Sequence, residues 1–119
     1  MPVRSLNSSV IKWPGKKEVE GSLRRWSEGV REEKPLIKLG YFGSYAKGSW
    51  GVGSDLDIII VLEEIEEPFE LRGAGFDCSS IPVSTDLLVY SREEWQKMKG
   101  EKGGFYRSLS DEIVWIQGD

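Results

Sequence analysis

Gly43-Ser44-Tyr45-Ala46-Lys47-Gly48, then Ser54-Asp55-Leu56-Asp57 and the apolar run Ile58-Ile59-Ile60-Val61-Leu62, decide how this chain folds. The five apolar residues in a row are too few for a helix and offer no polar face. They predict the second half of a strand over residues 55–62, central in a sheet and covered on both sides. Upstream, residues 36–42 read as a strand that Gly43 ends. Residues 44–50 predict a short helix with Ser44 as its N-cap. Gly48, Gly51 and Gly53 make the intervening stretch a loop.

Working outward, Val19, Leu23, Trp26 and Val30 form one stripe of an amphipathic helix over residues 16–33, which Pro35 stops. Residues 63–70, with glutamates around Pro68, read as a solvated connection, and residues 69–80 remain open between forms. A strand is expected over 82–90. Ser91 followed by Glu94 is a capping box, which predicts a helix over about 92–99. A short helix over 102–108 and a last strand over 112–117 complete an interleaved α/β or α+β chain around a small mixed sheet. The expected organisation is one domain over 1–119, with residues 1–15 irregular.

The 119 residues carry 16 Lys and Arg against 20 Asp and Glu, a net charge of −4. That balance argues against direct, charge-driven nucleic-acid binding and against a strand-extending polymerase. With no histidine, His-based triads, His general bases and the usual zinc sites are excluded. Any metal would sit on oxygen ligands, which suit magnesium, manganese or calcium. The single cysteine, Cys78, reads as structural or inert and fits a reducing cytoplasm. Neither a secretory leader nor a membrane span is expected. Few Asn, Gln, Cys and Met beside many Glu, Lys and Arg hint at a heat-loving source.

Asp55 and Asp57 alternate on one strand, so their side chains share a face, with Cβ atoms about 6–7 Å apart. Asp86 heads another apolar strand. If that strand pairs beside the first, its carboxylate comes within ~5.5 Å of one of the others. Such carboxylates repel one another and hold their protons more tightly, which a divalent cation reverses; two ions ~3.5–4 Å apart would suit the cage. Gly43 lets a phosphate approach the backbone, while turn N–H groups, the Ser44 hydroxyl and the helix dipole can hold its oxygens. Lys47 adds positive charge one turn on. Singly, Asp55 also reads as a cap and Asp86 as a turn residue. Jointly with Gly43-Ser44 they describe a site for a nucleoside triphosphate with magnesium.

At these residues the chain resembles the DNA polymerase beta-like nucleotidyltransferase superfamily, and within it the minimal nucleotidyltransferases paired with HEPN-domain proteins. Residues 43–86 carry the motif, and the flanking helix over 16–33 and Ser91-Arg92-Glu93-Glu94-Trp95 also resemble that branch. The resemblance implies a nucleotidyltransferase fold, a mixed sheet with helices mainly on one side. It implies an enzyme that moves a nucleoside monophosphate, AMP from ATP, onto an acceptor hydroxyl. Asp55 and Asp57 would bind two magnesium ions, with manganese as a substitute, and Asp86 the ion beside the acceptor. Gly43, Ser44, Lys47 and Ser54 would bind the nucleotide's phosphates. Lys47 stands where arginine is common, which keeps the charge and loses a bidentate clamp.

The role implied is that of a cytoplasmic antitoxin that adenylylates its HEPN toxin partner. With little chain left beyond a nucleotide fold, the acceptor surface is expected on a partner or a second copy. The alternative is a nucleotide-sensing or catalytically silent module that regulates such a partner by contact. Trp26 and Trp115 read as core, and Trp13 as an exposed anchor for a partner. Trp50 reads as base stacking or, preferably, a packing plug.

Overall fold

The computed structural model describes residues 13–101 and 104–118. Helix α1 (Lys16–Glu33) leads into strand β1 (Leu36–Phe42), the one-turn helix α2 (Ser44–Lys47) and strand β2 (Leu56–Leu62). A 3-10 segment (Phe69–Gly75) precedes β3 (Thr85–Ser91), α3 (Arg92–Gly100), α4 (Gly104–Glu112) and β4 (Val114–Gln117). The strands form one mixed sheet of order β3-β2-β1-β4, in which β2 pairs parallel to β3 and antiparallel to β1. A parallel neighbour needs a long crossover, which residues 63–84 supply with a 3-10 segment in place of a full helix.

Strand β2 is buried on both faces, as its unbroken apolar run requires. Leu56, Ile58, Ile60 and Leu62 join Val19, Leu23, Trp26 and Val30 of α1 in one core. Ile59 and Val61 point the other way, toward Trp95 of α3 and Leu109 of α4. At about 1.5–3 kcal/mol for each fully buried aliphatic side chain, this strand is the main anchor of the fold. The expectation of helices mainly on one side is therefore corrected: α1 covers one face, and α3 with α4 covers the other. A second apolar layer over Ile59 and Val61 is what demands them.

Several boundaries also move. Asp55 lies just before β2 rather than within it, and β3 begins at Thr85. The helix expected over 102–108 is α4, which runs on to Glu112; residues 102–103 lie outside the described residues. The irregular start expected over 1–15 falls outside them too, except for residues 13–15, which are irregular. Trp13 is no exposed anchor. It is half-buried against the α1 core, and its indole N–H donates to the Tyr45 hydroxyl at 2.9 Å. Trp50 stacks on Tyr45, with centroids 5.7 Å apart, as a packing plug does. Among the described residues no helix is long and apolar enough to cross a membrane.

Candidate active site

The site grows from the end of β1. Phe42 pairs with Asp57 across the antiparallel ladder, and Gly43 then turns the chain at φ 80° and ψ −151°. A Cβ on Gly43 would lie 2.2 Å from Asp57 Oδ2. Both the positive φ and this close approach favour glycine and strain any other residue. Gly43 is itself the N-cap of α2, and no side chain caps that helix, so Ser44 is its first helical residue rather than its cap. A four-residue helix has little macrodipole. Phosphate binding there would fall to local N–H groups, the Ser44 hydroxyl and Lys47.

Tyr45 fastens this turn to the body. Fully buried, it donates from its hydroxyl to the Pro14 carbonyl at 3.1 Å while accepting from Trp13. Ser44 and Lys47 on either side are thereby held at the sheet end. Farther along, the Ser54 hydroxyl accepts from the Gly51 amide at 2.8 Å, and the Ser54 amide donates to the Gly51 carbonyl at 3.0 Å. These bonds close the glycine loop immediately before Asp55, so Ser54 shapes the approach to the carboxylates.

The third carboxylate arrives through the parallel pairing. Asp57 stands beside Asp86 in register, so both side chains leave the same face, the one that carries Ile59 and Val61 farther along β2. Asp57 is half-buried, whereas Asp55 and Asp86 are exposed. Burial pushes the Asp57 carboxyl above its usual range, and the negative charges of Asp86, Asp55 and Glu112 add to the effect. In this conformation no three His, Cys, Asp or Glu side chains among the described residues are gathered into a metal cage. The donor set nonetheless fits a hard divalent ion, because it consists of carboxylate oxygens whose mutual repulsion a cation would relieve.

Glu112 is the residue that sequence reasoning missed. It ends α4 and forms an ion pair with Lys47, Nζ to Oε1 at 3.6 Å. Taken as the first residue of a strand, it carried no signal. As the last residue of a helix it does, since a carboxylate opposes the macrodipole there and no basic residue stands in the last turn.

Residues 23–116 match the family model described as a nucleotidyltransferase domain. The chain belongs to this family, and it is a nucleotidyltransferase. A structure from Sulfolobus solfataricus assigned as a nucleotidyltransferase is 25% identical, covering 69% of this chain and 75% of that one, with a TM-score of 0.56. A toxin-antitoxin structure with AMP-PNP shares the fold at 17% identity and TM-score 0.56, over 84% of this chain and 73% of that one. A mutant of the toxin-antitoxin pair MntA-HpeT does so at 15% identity and TM-score 0.53, with the same coverage. No curated protein matches the sequence.

Proposed function

We propose that this chain is a single-domain, magnesium-dependent nucleotidyltransferase that moves AMP from ATP onto an acceptor hydroxyl. The observation that carries the reading is the parallel register that sets Asp86 beside Asp57, one residue pair from Gly43 and its turn. Carboxylates that repel one another next to a glycine turn suit a triphosphate and its counter-ions.

Asp55, Asp57 and Asp86 would hold the divalent ions, which when bound supply charge neutralisation on the phosphates. The Gly43–Ser44 backbone, the Ser44 hydroxyl and Lys47 orient the departing phosphates. Asp86, which is exposed, would accept the proton of the attacking hydroxyl. Positioning and charge neutralisation are most of what phosphoryl chemistry needs from a protein.

The physiological role we propose is that of a cytoplasmic antitoxin that adenylylates a HEPN-domain toxin. Two neighbours in fold are toxin-antitoxin structures, one of them with AMP-PNP, which supports a protein partner and a nucleotide substrate. The test is transfer of label from ATP with magnesium, labelled on the α-phosphate in one arm and on the γ-phosphate in the other. Label on a macromolecule from the α position alone is expected. Label from neither position, with ATP binding intact, would overturn the enzymatic role in favour of a nucleotide-sensing module.

A further inference from the structure

We infer that Glu112 is a positioning residue of the nucleotide site, which pairs with the Lys47 ammonium and yields it to an incoming triphosphate. The inference rests on the nucleotidyl-transfer reading above and adds to it a residue that tunes the affinity of that site.

Lys47 closes the single turn that starts at Gly43, its amide donating to the Gly43 carbonyl at 3.0 Å. Its ammonium lies 3.6 Å from Glu112, whose negative charge adds the least of the three that raise the Asp57 carboxyl. Glu112 is held there firmly. The next amide, Ile113, donates to the Leu109 carbonyl at 3.1 Å, and Ile113 and Val114 press on Gly40 of β1, where a Cβ would lie 2.6 Å from the Val114 carbonyl. A carboxylate at a helix C-terminus and near another carboxylate is disfavoured twice over. The ion pair with Lys47 is the interaction that offsets both.

With Lys47 57% and Glu112 31% exposed at the side chain, the pair is weak enough to exchange. A triphosphate carries several negative charges and outcompetes one carboxylate for the ammonium. Glu112 then sets the nucleotide affinity through Lys47.

The experiment is calorimetric titration of ATP with magnesium into the wild type, Glu112→Gln, Lys47→Ala and the double variant, at low salt. Glu112→Gln removes a charge that the helix end disfavours, so folding is not at risk. It should lower Kd by about two- to fivefold, the range for a half-exposed pair, and the gain should vanish in the Lys47→Ala background. An unchanged Kd overturns the inference, as does weaker binding, which would make Glu112 part of the metal site. An equal gain with and without Lys47 also overturns it, leaving simple charge repulsion. Wild-type protein that binds no ATP would overturn the nucleotidyl-transfer reading itself.

Discussion

Strands β2 and β3 lie side by side, and a carboxylate stands at each end of the pair under opposite conditions. At the start of β3, Asp57 and Asp86 face each other with like charge, and burial raises the Asp57 carboxyl above its usual range. At the far end Glu94, in the first turn of α3, is held below its usual range, foremost by hydrogen bonds from Arg72. Arg72 meets it with two bonds of 2.7 and 3.1 Å and also donates to the Val89 and Glu67 carbonyls. Glu94 completes the capping box with Ser91 as well. One end is satisfied by the protein's own groups and is structural. The other keeps an electrostatic conflict that the fold does not resolve, as a binding site does.

The strongest way to break this comparison is Asp57→Asn. It should lower nucleotidyl transfer on the order of 10³-fold, while thermal melting in a chelator stays level or rises, because the substitution removes a repelled, half-buried charge. A lower melting temperature with activity retained would make Asp57 structural. Next comes Gly43→Ala, which forces a side chain into φ 80° and against the Asp57 carboxylate. A loss of roughly 1–3 kcal/mol in urea unfolding is expected, with transfer falling in parallel; full activity would show that the turn need not abut Asp57.

At the structural end, Arg72→Ala should cost about 1–3 kcal/mol, since it takes the Arg72 donor from the Val89 carbonyl and leaves Glu94 with the Ser91 amide alone. Transfer per folded molecule should stay intact, and a fall in kcat would tie the two ends together. The smallest effect concerns pH. The folded-state shift of Glu94 is downward, so its stabilisation is present above the unfolded carboxylate range and fades as pH falls through the depressed value. Glu94→Gln should be less stable than wild type near neutrality by under about 1 kcal/mol, the carboxylate being 42% exposed. That gap should close on acidification in paired melts; a gap independent of pH would mean that packing, not charge, holds the corner.

Local signals were legible. The stripe from Val19 to Val30 and the stop at Pro35 place α1 and β1 at the bounds observed, and Ser91 with Glu94 announces α3. Asp55, Asp57 and Asp86 could be singled out because alternation on a strand, and a carboxylate heading an apolar run, are patterns of sequence. Glu112 could not, because its meaning depends on α4 ending where it does and on Lys47 coming from another element. Arg72 was hidden too, since nothing near it in the chain announces partners on β3 and α3. Trp13 read as exposed only because its partners, Tyr45 and the α1 core, are brought to it by folding.

By itself, then, the sequence determined the chemistry available and the elements that carry it: no histidine, oxygen donors, a glycine turn and a doubly apolar strand. Periodicity and caps act over a few residues, and local order follows from them. Tertiary structure decided which carboxylates repel, that Lys47 is paired, and that helices cover both faces of the sheet. Those facts depend on strand order and register, which distant residues set through burial.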